Sequence, residues 1–376
     1  MGSTMKGKVL LFCGGVVFYG KEIVTLSLAE GLRHAGWDVG FITSYWNSTE
    51  VTARLQSSKI PCHFLWLGFV SATLRLEPIK CTIGQLQKLI RLWSGFRRIA
   101  RSNDVRVIIH TNWHHAMLLL PMLDPKRDIF WVHDSLPENA RYVSVIRAIA
   151  QRVGRVICVS NAVARSYEAA GIPTSKIQVI YNGVDISGRE FSRGTAPELR
   201  VGIVGQIGDW KGYDDLIDAL DLLKKKGVAF KLFVFGSGSA EYVDALKSRI
   251  RRLSLESLVE WCGFVADRDK IYEAIDLCVL PSRVQESLST AAIEASAAGL
   301  PVVCSDRGGF PEIVEDNVTG FVVEAGRADR LAEAIGKFIS SPSLLRSMGQ
   351  AGRQRAVQLF SHSRFVDEFS RSISSL

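Results

Sequence analysis

Short apolar runs alternate with longer stretches whose apolar positions recur every three or four residues, and the alternation continues along most of the chain. The runs read as strands buried on both faces, the longer stretches as helices with one inward face. This pattern predicts strands over residues 8–12, 39–43, 63–67, 105–110, 129–133, 156–159 and 178–181, with helical stretches between most of them. The first helix is expected over 22–35, closed by Gly36. A polar, irregular stretch over 187–197 interrupts the series, which then restarts with strands over 199–204, 231–235, 259–263, 277–280 and 302–305. Helices over 213–225, 240–253 and 270–275 lie between them. The fold class that follows is α/β, with two Rossmann-like domains: 1–197, and 198–360 followed by a last helix at about 361–376.

Composition sharpens this picture in three places. A chain of 376 residues with 47% apolar content exceeds one ordinary core, which supports two domains. The seven cysteines are odd in number and lack C-x-x-C spacing, so buried reduced thiols are expected. No apolar run approaches the roughly eighteen residues that span a bilayer, and no signal peptide is read, so a soluble, cytoplasmic protein is expected. Residues 1–4 ahead of Met5 read as a cloning remnant. The net charge of +8 favours anionic partners without choosing among nucleotide, acidic lipid and nucleic acid, and no nucleic-acid-binding motif is present.

Candidate chemistry concentrates in VLPSRVQESLSTAAIEASAAGLPVV, residues 279–303. Glu286 is expected at or just before a helix start and Glu294 eight residues on, roughly 12 Å along a helix axis. The first helical amides, expected around Leu288, Ser289 and Thr290, would point donors and the positive dipole end at an anion such as a diphosphate. Glu294, flanked by Ala, Ile and Ser, is poorly placed for a solvated face. An E-x7-E pair after a Pro-Ser turn, followed by EA-x-A-x-G-x-P-V-V, resembles the signature of the large retaining glycosyltransferase family four, whose fold is GT-B: two Rossmann-like domains facing across a cleft. The resemblance implies that Glu286 contacts hydroxyls of the donor sugar and Glu294 the ribose of its nucleotide.

The likeness extends over nearly the whole chain. Gly205-Gln206-Ile207-Gly208-Asp209-Trp210-Lys211-Gly212 resembles the family's G-R-x4-K-G, in which Arg and Lys clamp the donor diphosphate. Lys211 matches; Gln206 departs, since an amide donates to phosphate but supplies no charge. Gly20-Lys21-Glu22 resembles the end of a G-G-x-E loop, with Gly20 matching and Lys21 departing. His133-Asp134 after the strand IFWV resembles the family's H-D or H-E near the reaction centre; the alternative is a structural hydrogen-bonding histidine. Gly236 and Val265 stand where the family's backbone approaches nucleotide and base, or in plain strand-to-helix turns. Ser289 replaces a family glycine, and its side chain is expected to narrow the sugar pocket. Gly308-Gly309-Phe310-Pro311-Glu312 resembles a G-G-x-P-E turn that supports the donor site. Asn182-Gly183-Val184-Asp185 resembles the turn that ends the first domain, and the last helix is expected to return to that domain.

The function implied is retaining transfer of a hexose-type sugar from a nucleoside-diphosphate sugar, with UDP favoured, to a saccharide, lipid-linked or small-molecule acceptor in polysaccharide or glycoconjugate synthesis. The nucleotide sugar is a substrate, and no cofactor is expected. No metal is expected either: His110, His114 and His115 lack a further ligand at recognisable spacing, and Asp267-Arg268-Asp269 reads as a helix cap. A nucleotide-sugar-binding protein on a degenerate GT-B scaffold is the second reading, with Gln206 as its sign; an epimerase is a third. Residues 80–101 carry Lys80, Lys88, Arg91, Arg97, Arg98 and Arg101 with no acid among them, interleaved with apolar residues. They read either as a helix packed on the first sheet or as a peripheral contact with the inner membrane face.

Overall fold

The computed structural model describes residues 6–14, 20–68, 76–102, 104–137, 142–186 and 198–376, with backbone alone for 76–81. Residues 1–4, Gly15, the irregular stretch over 187–197 and the side chains of Lys80 and Cys81 lie outside this description. The chain divides into two compact units, Met1–Gly183 with His362–Leu376, and Val184–Ser361.

The first unit holds seven parallel strands: β1 (Lys8–Phe12), β2 (Asp38–Ser44), β3 (Cys62–Leu65), β4 (Val105–His110), β5 (Asp128–Val132), β6 (Arg155–Cys158) and β7 (Ile177–Val179). They lie in the order β3-β2-β1-β4-β5-β6-β7. The second unit holds β8 (Leu199–Val204), β9 (Phe230–Phe235), β10 (Val259–Gly263), β11 (Leu277–Leu280), β12 (Val302–Ser305) and β13 (Gly320–Val323). Their order is β10-β9-β8-β11-β12-β13, again all parallel. Central strands of both sheets are almost wholly buried, as expected where helices cover both faces. In each sheet the strand order reverses once beside the first strand, between β1 and β4 and between β8 and β11. Ligand crevices of open α/β sheets form at such reversals, beyond the carboxyl ends of the strands.

The last helix, His362–Ser374, belongs to the first unit because its apolar face has a fitted seat there. Phe365, Phe369 and Ile373 are fully buried, and the two rings lie 5.9 and 4.8 Å from Trp131 of β5. Gly31 makes the approach to the helix Gly20–His34 close: a Cβ there would come within 2.3 Å of Val366. Burying these three side chains contributes about 6 kcal/mol. The expected boundary at 197 moves to Gly183, because the Val184 amide already donates to Phe360 O at 2.9 Å within the second unit.

Two elements between Ser305 and Phe360 were not anticipated from the sequence at all, the helices Ala328–Ser340 and Ser343–Phe360, nor was the edge strand β13. Of the cysteines described, Cys13, Cys158, Cys278 and Cys304 are buried, Cys62 and Cys262 half-buried, and all six are free thiols.

Candidate active site

In the second unit the reversal between β8 and β11 places two loops side by side. After β8 the chain runs through Gly205 and Gln206 to a single 3-10 turn, Asp209–Lys211, closed by Gly212 with φ +74°. A Cβ on Gly212 would lie 2.0 Å from Pro281 O, so glycine lets the Lys211 loop touch the turn after β11. That contact is reinforced twice: the Arg283 amide donates to Trp210 O at 2.8 Å, and the Arg283 guanidinium grips Asp215 through bonds of 2.8 and 2.7 Å. The pairing with Asp215 holds the Arg283 pKa above its ordinary value. Gly236 sits behind the same loop with φ +141°, where a Cβ would lie 1.8 Å from Gly205 O.

Lys211 Nζ reaches Glu286 Oε1 at 2.6 Å, and Ser282 Oγ donates to the same oxygen at 2.6 Å. Glu286 is itself fixed by the glycine turn that follows β12. The Gly309 amide donates to Glu286 O at 2.7 Å, and a Cβ on Gly308 would fall 1.9 Å from that oxygen. The G-G-x-P-E turn therefore acts as the seat of Glu286.

The helix begins later than its sequence suggested. It spans Thr290–Ala297, with Ser289 as its N-cap, whose Oγ accepts from the Ala292 amide at 3.3 Å. Glu286 thus precedes the helix by a short loop, and Leu288 and Ser289 are not its first amides; Thr290 and Ala291 are. Ser289 turns its hydroxyl back onto the helix as cap residues do, and the residue also lines the cavity of the site.

Gln206, Lys211, Glu286, Leu288, Ser289 and Thr290 line one cavity of about 190 Å³, together with Ser282 and Ala291. Gln206 is exposed at its edge. Glu294, one turn further along the helix, is not among the lining residues, and neither are Gly236 and Val265.

Glu294 is held from two sides. Tyr272 Oη donates to its Oε2 at 3.0 Å, and Arg268 Nη1 lies 3.1 Å from its Oε1. Burial pushes its carboxyl above the usual range, while Arg268 and the Tyr272 hydrogen bond pull it back. None of Ser282, Arg283, Arg268 and Tyr272 was read from the sequence as a residue of the site. Tyr272 alone left a signal, lying four residues after the capped Arg268 on one short helix.

The first unit places Gly20 and His133 at the carboxyl edge of its own sheet. Gly20 opens the helix Gly20–His34, and a Cβ on it would meet nothing within 4 Å among the described residues. His133 follows β5, and its Nε2 is buried without a hydrogen-bond partner among the described residues. Burial, and secondarily the Lys21 cation, push its pKa down to about 3. His115 is pushed to about 3 and His114 to about 4 by the same causes. His110 instead pairs with Asp128 at 2.7 Å inside the core, so the three histidines of HTNWHHA do not converge. Among the described residues no group of three or more His, Cys, Asp or Glu is arranged to hold a metal ion.

Comparison with known proteins agrees with this architecture. The chain is 26% identical over 286 residues to the GDP-mannose-dependent alpha-(1-6)-phosphatidylinositol monomannoside mannosyltransferase of Mycobacterium tuberculosis, covering 69% of this chain and 73% of that protein. It is 32% identical over 173 residues to the amylovoran biosynthesis glycosyltransferase AmsK of Erwinia amylovora, covering 44% of this chain and 42% of that one. The fold superimposes on the Anabaena protein HepE, crystallised with UDP, with a TM-score of 0.82 and 22% identity over 98% of this chain and 100% of that one. The pattern of the Glyco_transf_4 family, described as Glycosyltransferase Family 4, matches residues 19–187, and that of Glycosyl transferases group 1 matches residues 191–355. Both units are thereby accounted for, and the chain belongs to glycosyltransferase family four, as a glycosyltransferase of GT-B fold.

Proposed function

We propose that the enzyme moves a hexose-type sugar with retention of configuration from a UDP-sugar to a saccharide or lipid-linked acceptor, and needs no divalent ion for the step. The observation that carries this reading is the contact of 2.6 Å between Lys211 Nζ and Glu286 Oε1 in a cavity lined also by Thr290 and Ala291 at a helix start. A cation, a carboxylate and a helix start suit the three chemical parts of the reacting end of such a donor.

When the donor enters, Lys211 exchanges the carboxylate for a phosphate oxygen, and Glu286 accepts from a sugar hydroxyl. As the bond between sugar and phosphate breaks, negative charge grows on the leaving diphosphate. Lys211 and the helix amides stabilise it, each fixed in advance so that little reorganisation is needed. Glu286 is the one carboxylate among the lining residues, and Lys211 and Ser282 already engage it, which favours direct front-face attack over a covalent intermediate. In that step the departing phosphate takes the acceptor's proton while the acceptor oxygen bonds to the face the phosphate leaves. The cavity is smaller than the roughly 300 Å³ at which pockets for whole ligands begin. The nucleoside therefore extends along the helix toward Glu294, which receives the ribose diol.

The uridine assignment draws support from HepE, which binds UDP in its crystal; the mycobacterial relative is GDP-mannose-dependent by name, so the base needs a direct test. Thermal melting with UDP and GDP, followed by analysis of the product anomer, supplies it. UDP is expected to raise the melting temperature more than GDP, and the glycoside formed is expected to keep the donor's anomeric configuration. No rise with UDP, or an inverted product, would overturn the assignment.

A further inference from the structure

Over its described side chains, residues 82–100, the helix Leu76–Ala100 buries one side and exposes the other. Leu92 and Phe96 are fully buried, whereas Ile83, Leu86 and Ile90 are 50, 56 and 79% exposed. Positions 83, 86 and 90 share one helical face, and the same face continues through Ser94 to Arg97. Arg91 and Arg98, both exposed, lie along one edge of it, and Arg101 follows the helix end. No Asp or Glu occurs from residue 78 to residue 103.

Beside the apolar half of this face stands an aromatic cluster. Gln85 Nε2 donates to Trp66 O at 3.0 Å, and Lys88 Nζ lies 4.6 Å from the Trp66 ring. Trp66 in turn packs against Tyr45 at 4.8 Å and Trp46 at 5.5 Å, both of them exposed. Among the described residues no helix is long and apolar enough to cross a membrane, so this face is not part of a span.

We propose that this face docks the enzyme on an anionic lipid bilayer, with the helix lying in the plane of the interface. Such a surface meets both halves of the face at once: headgroup charge for the arginines and the acyl boundary for Ile83, Leu86 and Ile90. Tyr and Trp rings favour the headgroup level that lies between them. A second copy of the chain would set like charges against each other. The proposal is independent of the donor assignment, because every residue in it belongs to the first unit.

Sedimentation of the full chain with phosphatidylcholine vesicles, with and without phosphatidylglycerol, tests it. The protein is expected to pellet with the anionic vesicles only, and to be released by high salt. Arg97→Gln, Arg98→Gln and Arg101→Gln together are expected to lower partitioning on the order of a hundredfold. Leu86→Ser with Ile90→Ser is expected to abolish binding while the melting temperature stays constant, since both side chains are exposed. Equal pelleting with neutral and anionic vesicles, or partitioning unchanged by the arginine variant, would overturn the proposal. So would a dimer in solution that Leu86→Ser and Ile90→Ser dissociate, which would assign the face to a second copy.

Discussion

The two units share a strand plan and differ in how charge is handled at the ligand edge. All seven histidines fall in the first unit and none in the second. At the first unit's edge His114, His115 and His133 are kept neutral by burial, with Lys21 as the nearby cation. At the second unit's edge the charges are matched: Lys211 with Glu286, Arg283 with Asp215, Arg268 with Glu294. Matched, prepositioned charges suit a diphosphate, whose charge must be met without rearrangement. Neutral imidazoles suit hydroxyl-rich molecules, to which they donate and from which they accept.

Stability should separate the units most widely. Phe369→Ala is expected to cost about 4 kcal/mol through the cavity it opens against Trp131. In a denaturant titration the transition reported by the first unit should shift, and that of the second should stay; equal shifts in both would show that the units do not melt independently.

Glu294→Ala is expected next, with a loss of UDP affinity of about 2 kcal/mol as a charged hydrogen-bonding partner disappears. Calorimetric titration reads it, and unchanged affinity would place the ribose elsewhere. The Arg268 and Tyr272 bonds to Glu294 predict that Tyr272→Phe weakens UDP binding in the same direction and by less.

Between neutral pH and about pH 5, histidine titration should act on the first unit alone. His115 and His133 titrate near 3 in the folded chain and near 6.5 when unfolded. The unfolded chain therefore takes up protons first as pH falls, and folded stability present above about 6.5 is lost progressively toward about 3. The expected slope is roughly 1 kcal/mol per pH unit for each histidine. Unfolding midpoints measured from neutral pH to about pH 5 would check it, with the second unit, lacking histidine, as the internal reference.

Gln206→Arg carries the smallest expected effect, a gain in UDP affinity of about tenfold as a bidentate cation replaces an amide at the cavity edge. An unchanged affinity would mean that position 206 does not face the diphosphate.

Much of this was legible in the sequence because buried parallel strands are uninterrupted apolar runs: the bounds of β4, β8, β10 and β11 follow the pattern. β13 was missed because its run, GFVV, opens on a glycine and is only half-buried over its last two residues at the sheet edge, unlike the equally short but fully buried β11 and β12. The Thr290 helix start was misplaced although its signal was present, a serine cap directly before the alanine-rich run. The pairings were illegible for a different reason. Lys211 and Glu286 are 75 residues apart, and Arg283 and Asp215 are 68 apart, so their contact depends on the reversal of strand order, which local periodicity does not encode.

The division of labour between Lys211 and Glu286 is tested most directly by titrating UDP into the Lys211→Ala and Glu286→Gln variants and assaying transfer in parallel. Glu286→Gln removes the carboxylate that holds Lys211, so UDP affinity is expected to stay level or rise while transfer is lost. Lys211→Ala is expected to lose both UDP affinity and, by a factor of at least about a hundred, transfer. Equal loss of UDP affinity in the two variants, or UDP binding untouched by Lys211→Ala, would contradict the assignment of Lys211 to the diphosphate and Glu286 to the sugar.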